Sequence, residues 1–399
     1  MKRFAVLVLA AMSLRGGEVC PEQREQLASI AAALERRPAD ASLHYFQAIT
    51  FAACGDAERS AAALAQTLRF GAGFLPPRDQ FARVWDAPAF RAQYAAMARA
   101  LPKVVRATTA FRVRRNDLIP EGIAWDEAHQ RVLMGSSARG VIVSVPRSGA
   151  ARAFAVAPYD LPHVLGLAVH GSRFYAVATN ALSAGGREPR NAVLEFDAAS
   201  GELLRRLDAA GARQLNDVAV AADGHLYVTD SGAGSVWHAA PGARALERLT
   251  DERALPGANG LALAANDAAL YVAHATGIGR IELATRAITP RIENRTRETL
   301  SGIDGLYRRG DTLIGVQNIT TPGRVIAATL DANGTAVTAA RTLLSHHHPA
   351  LQEPTTGAIA GDRFLLLANS FVARMRPDGT IEDAATVAEP VVLSMPIAR

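Results

Sequence analysis

The sequence predicts a mainly β protein, a six-bladed β-propeller preceded by a small α-helical domain. Three observations carry that expectation. A short pattern returns six times: Pro-Glu121-Gly-Ile-Ala-Trp, Val-Leu165-Gly-Leu-Ala-Val, Leu-Asn216-Asp-Val-Ala-Val, Ala-Asn259-Gly-Leu-Ala-Leu, Ile-Asp304-Gly-Leu-Tyr and Pro-Thr355-Thr-Gly-Ala-Ile. Its spacings are 44, 51, 43, 45 and 51 residues, and a period of about 40 to 50 residues marks a propeller or a repeat array. After most of these positions an apolar run, a turn such as Asp223-Gly224 or Gly361-Asp362, and a second apolar run follow, which reads as a β-hairpin with further strands. Before residue 102 the chain is instead rich in Ala, and apolar residues recur at three and four.

Taken in order, residues 1–19 begin Met-Lys-Arg and continue with an apolar run from Phe4 to Leu14. That run is too short to span a bilayer and has the form of a secretory signal, so the expected location is exported, periplasmic or secreted. Cys20 and Cys54 are the only two cysteines. An antiparallel helix pair would bring them together as a disulfide in an oxidising compartment; two buried thiols are the other reading. Residues 20–101 carry helical stripes at Leu27, Ile30 and Leu34, at Leu43, Phe46 and Ile49, and at Leu64 and Leu68. Pro38 and Gly55-Asp56 separate them. Residues 102–399 form the propeller. Val104 to Val113 and Pro390 to Ile397 are two candidate strands for closing the ring.

The first strand of every blade lines a propeller's central channel, so equivalent positions of successive blades face one another. Glu121, Asn216, Asn259 and Asp304 share one register and carry oxygen ligands. Two carboxylates and two amide carbonyls suit a hard divalent cation, Ca²⁺ or another, whereas soft metals call for Cys or His. Asx residues also cap turns entering strands. Leu165 and Thr355 hold the other two positions, and an obligatory turn residue would occupy all six.

Composition excludes other classes. A net charge of +5 is spread thinly over 43 basic and 38 acidic residues, with no basic run interleaved with aromatics, so nucleic acid is not an expected partner. Nor is a membrane span expected.

The four register residues resemble the metal site of the SMP-30/gluconolactonase family and of the related paraoxonases. Pro-Glu121-Gly-Ile-Ala-Trp-Asp is similar to the family's opening motif. Leu-Asn216-Asp217-Val with Asp-Gly-His-Leu-Tyr-Val-Thr-Asp230-Ser is similar to its central blade. Ala-Asn259-Gly-Leu-Ala and Ile-Asp304-Gly-Leu resemble the remaining ligand motifs. The resemblance covers about residues 105 to 395 and implies a six-bladed propeller with Ca²⁺ in its channel. It implies Glu121, Asn259 and Asp304 as direct ligands, Asn216 as ligand or substrate contact, and Asp304 as candidate base. Gly305 stands where paraoxonases keep an Asn. Leu165 holds the register of their second-blade His, with His163 two residues earlier. The stretch from Pro38 to Phe70 loosely resembles one tetratricopeptide unit.

The expected chemistry is metal-dependent hydrolysis of a lactone or ester, with Asp304 or His163 as catalytic base. Two further classes stand beside it. One is a non-catalytic binding propeller with a structural metal and a helical docking module for a protein partner. The other is a strictosidine-synthase-like propeller without metal chemistry, which the intact ring of oxygen ligands disfavours.

Overall fold

The computed structural model describes residues 20–319, 322–376, 378 and 380–397. The expected signal, residues 1–19, lies outside them. The chain divides into two compact units. One runs to Pro102 and takes in Thr296–Ser301; the other holds Lys103–Arg295, Gly302–Ile319 and Gly323–Arg399.

The first unit is helical: α1 (Arg24–Arg36), α2 (Ala41–Ala53), α3 (Ala57–Phe70) and α4 (Pro88–Ala100). Asp40 caps α2 by accepting from the Ser42 and Leu43 amides, and Asp56 caps α3 through the Arg59 amide. Gly55, with φ of 77°, supplies the left-handed residue that ends α2 two positions before α3 begins. The resulting hairpin of α2 and α3 is tied by the Ser60 hydroxyl donating to the Ala48 carbonyl at 3.0 Å. Tyr45, Leu64, Phe81 and Phe90 are fully buried in its core. Cys20 and Cys54 are bonded, with α-carbons 5.6 Å apart. This settles the choice left open by the sequence. Among the described residues no helix is long and apolar enough to cross a membrane.

The second unit is a six-bladed propeller. β1 (Thr108–Arg112) precedes the first complete blade, β2 (Pro120–Asp126), β3 (Arg131–Ser136), β4 (Val141–Pro146) and β5 (Arg152–Val156). The second blade is β6 (His163–His170), β7 (Arg173–Thr179), β8 (Asn191–Asp197) and β9 (Leu203–Asp208). The third is β10 (Leu215–Val220), β11 (Leu226–Asp230), β12 (Ser235–Ala239) and β13 (Glu247–Arg248). The fourth is β14 (Leu261–Leu263), β15 (Ala269–His274), β16 (Gly277–Glu282) and β17 (Ile288–Thr289). In the fifth, β18 (Glu293–Asn294) adds in parallel to β22 (Ala336–Leu344), outside β21 (Arg324–Leu330), β20 (Thr312–Gln317) and β19 (Ile303–Arg309). The sixth is β23 (Gly357–Ala360), β24 (Arg363–Leu367) and β25 (Val391–Pro396).

Both candidate closing strands are used, in different places. β25 is the third strand of the last blade, and β1 pairs antiparallel outside it, Thr108 opposite Ser394 and Arg112 opposite Val391. Chain start and chain end of this unit therefore share one sheet. The cores lie between neighbouring sheets rather than within one: Leu133, Val164, Phe174 and Leu194 fill the gap between blades one and two. Second strands are covered on both faces, so β11 and β15 are buried throughout, which is why they read as continuous apolar runs. Each fully buried Leu, Ile or Phe contributes roughly 1.5–3 kcal/mol.

Candidate functional site

The recurring register coincides with one backbone irregularity. The pairing of first and second strands shifts between Pro120 and Ile123, between Val164 and Leu167, between Leu215 and Val218, and between Ile303 and Leu306. Such bulges free a residue from the ladder and re-aim its side chain. Glu121, Leu165, Asn216 and Asp304 stand in those shifts; Asn259 lies just ahead of β14. The Gly after several key positions answers to close approach. A Cβ on Gly122 would overlap the Leu165 carbonyl, and one on Gly260 the Asp304 carbonyl.

First strands are bonded across blade boundaries at this level. The Gly260 amide donates to the Asp304 carbonyl at 2.7 Å and the Gly305 amide to the Thr355 carbonyl at 3.1 Å. The Thr355 and Thr356 hydroxyls donate to the Glu121 carbonyl at 2.9 and 2.6 Å, joining the last blade to the first.

Three carboxylates are buried here, Glu121, Asp217 and Asp304. Burial first, then the charges of Asp304 and Asp217, hold the Glu121 carboxyl well above its usual range. Burial pushes Asp217 up to about 7, with the Asp304 charge adding to it and amides of Val218 and Leu261 opposing. Burial also lifts Asp304 to about 7 against donors from Asn318 and Asn259, and the Glu353 charge adds to the rise. The Asn318 amide donates to Asp304 Oδ2 at 2.5 Å and to the Pro354 carbonyl at 2.8 Å. Glu121 Oε2 is buried and has no hydrogen-bond partner. A buried acceptor left unmet costs about 1–3 kcal/mol, more when charged, and such an orphan calls for an explanation.

Of the residues singled out by the sequence, Glu121, Asn259 and Asp304 are brought to one cluster: Asn259 donates to Asp304, whose charge is felt at Glu121. Asn216 turns its amide nitrogen to the Ser231 hydroxyl at 3.0 Å, leaving its carbonyl end as the available one. Among the described residues no group of three or more His, Cys, Asp or Glu is arranged to hold a metal ion; the register supplies two carboxylates and two amides instead. His163 opens β6 but bonds elsewhere, its Nδ1 2.5 Å from the Ser137 carbonyl oxygen and its Nε2 2.7 Å from the Ser183 hydroxyl. Burial lowers its proton affinity, with the Ser137 carbonyl opposing, and none of the cluster's carboxylates contributes.

Sequence reasoning assigned no role to Asp217, Asn318, Glu353 or Tyr307. Tyr307 is half-buried, and its phenol is pushed well above its ordinary range, by loss of solvent around the phenol first and then by Asp217. A signal existed for Asn318. The residue just past each second strand is Ser137, Asn180, Ser231 and Asn318 in four blades, and three of these bond to a residue named by the register reading or to His163. Glu353 stands two residues before Thr355 and accepts from the Ala373 amide at 3.0 Å.

No known protein family and no curated protein matches the chain. Solved structures do resemble it. A gluconolactonase from Xanthomonas campestris superposes with a TM-score of 0.48 at 18% identity, over 74% of this chain and 97% of its own. The calcium-binding protein regucalcin from Agrobacterium tumefaciens gives 0.48 at 16%, over 74% and 95%. The PQQ-bound aldose sugar dehydrogenase from Streptomyces coelicolor gives 0.47 at 15%, over 74% and 96%. Proteins of unlike chemistry share this likeness, so activity has to be argued from the site.

Proposed function

We propose that the channel site binds one divalent cation, Ca²⁺ in the first instance, and hydrolyses a small lactone or ester. The observation that carries this reading is the partnerless Glu121 Oε2 in a buried cluster with Asp217 and Asp304. Three carboxylates sharing a buried site without a cation repel one another and hold protons they would otherwise shed. Hard oxygen donors of this kind fit Ca²⁺. Glu121 and Asp304 would hold it with the carbonyl oxygens of Asn216 and Asn259. When bound, the cation polarises the scissile carbonyl and stabilises charge developing on its oxygen.

The remaining work belongs to side chains. Asn318 and Asn259 donate to Asp304 and keep its carboxylate oriented. Asp304 is the candidate acceptor of the proton from attacking water, and Glu353, lifted by burial, stands next to it electrostatically. His163 is the other candidate base, acting only through the Ser183 hydroxyl that occupies its Nε2. The Cys20–Cys54 bridge supports an exported protein, since such bonds persist in oxidising compartments.

The test compares wild type with Asp304→Asn for bound metal, melting and turnover of lactones and aryl esters. Wild type should bind about one cation and lose activity to a chelator. The variant should fold, bind metal weakly and turn over at least ~100-fold more slowly, the scale of a lost catalytic base. Wild-type turnover in the variant at low Ca²⁺ would sink the reading. An occupied channel that cleaves no ester would favour a binding propeller, with the tetratricopeptide-like hairpin of α2 and α3 as docking element.

A further inference from the structure

Ser183 lies outside the carboxylate cluster, in a single helical turn, Ala181–Ser183, between β7 and β8. Its Oγ is 2.7 Å from His163 Nε2. On the far side of the ring, Nδ1 meets the Ser137 carbonyl oxygen at 2.5 Å. A carbonyl can only accept, so Nδ1 carries the proton and Nε2 offers its lone pair to the serine hydroxyl. That is the tautomer a base needs. Burial disfavours the charged imidazole, with the Ser137 carbonyl opposing.

The orienting carbonyl is itself fixed. The Ser137 amide and hydroxyl both donate to the Ile119 carbonyl, at 3.0 and 2.8 Å. Ile119 sits at φ of 43°, unusual for a β-branched residue, and such strain gathers where function over-determines the backbone. Ile119 is two residues from Glu121, and Leu182 packs into the same apolar cluster as Ile119, Phe371 and Met375. Ser183 is half-buried, while His163 is only 3% exposed. Just beyond it, Gly185 and Gly186 take φ of 60° and 87°, with nothing within 4 Å of where a Cβ would stand.

Nucleophile, base and orienting group thus stand in one hydrogen-bonded line. We propose that Ser183 is a nucleophile activated by His163, attacking carboxylic esters to form a transient acyl-serine. The serine oxygen bonds to the acyl carbon while its proton passes to His163 Nε2. The ester C–O bond breaks, and that proton leaves with the alcohol. Water then attacks the acyl-serine, gives one proton to His163, and the serine oxygen recovers it as the acid departs. This goes beyond the lactone reading, in which water attacks directly at the carboxylate cluster.

The full chain is treated with an alkyl fluorophosphonate and followed by intact mass and peptide mapping. Serine oxygen bonds to phosphorus, fluoride leaves, and the proton leaves with it. One adduct is expected, on Ser183. Ser183→Ala should carry none and, because the residue is half-exposed, should melt like wild type. His163→Gln should label ~100-fold or more slowly, with melting measured alongside. Folded wild type that takes no adduct, or Ser183→Ala that labels as wild type does, overturns the proposal. Labelling requires neither lactone turnover nor added cation. Failure of the lactone reading in Asp304→Asn therefore leaves this outcome readable, and the reverse holds as well.

Discussion

At the scale of single residues, Glu121 shows how a buried charge links stability to pH. Its carboxyl is raised well above the usual range by burial and by its acidic neighbours. A carboxyl raised in the folded state keeps its stabilising proton below the unfolded value and loses that contribution as pH climbs through the folded value. Glu121→Gln mimics the protonated form at every pH. We expect the cation-free variant and wild type to melt together near pH 5, and the variant to be the more stable by pH 9. Calorimetry in chelator checks this, and the variant should lose the gain that Ca²⁺ gives wild type. Four register residues were legible in the sequence because the repeat aligns them. Glu353 was not, because it lies in an inter-blade connection. Ser183 was not, because the loop between β7 and β8 lies outside the repeated motif, and no period points to it.

At the scale of elements, two closures hold the units. Phe111 of β1 is 9% exposed and packs with Leu367 and Val392 of the last blade. Phe111→Ala removes that anchor and should cost about 3–5 kcal/mol, read from denaturant unfolding followed at the propeller's tryptophans. The bridge Cys20–Cys54 spans 34 residues of the helical unit. Cys54→Ser should destabilise that unit by about 2–4 kcal/mol, seen as earlier loss of helical circular dichroism and faster proteolysis. The hairpins were readable from alternation and turn residues. The closing arrangement was not, since β1 and β25 are both short strands, and only pairing across 286 residues distinguishes outermost from third.

At the scale of the whole molecule, the ring makes one electrostatic unit from residues scattered over half the chain. Asp217 and Asp304 are both pushed up to about 7. Between about pH 4 and pH 7 the folded protein holds protons that the unfolded chain has released, so stability without cation should fall as pH rises through that window. If the channel binds Ca²⁺ as proposed, the ion would displace those protons. Adding it near pH 6.5 in weak buffer should acidify the solution and raise the melting temperature, with the gain shrinking toward pH 4. Titration calorimetry in buffers of different ionisation enthalpy would count the protons. No release on adding Ca²⁺ would mean that the carboxylates do not meet the ion.

The seam between β1 and β25 also sets a clock for biosynthesis. Its last partner, Ser394 opposite Thr108, lies 286 residues downstream of it. At about 5–20 residues per second, roughly 15–60 s of synthesis separates the two. Until then the nascent propeller is an open arc with two unpaired edges, and a product that stops short of β25 cannot latch.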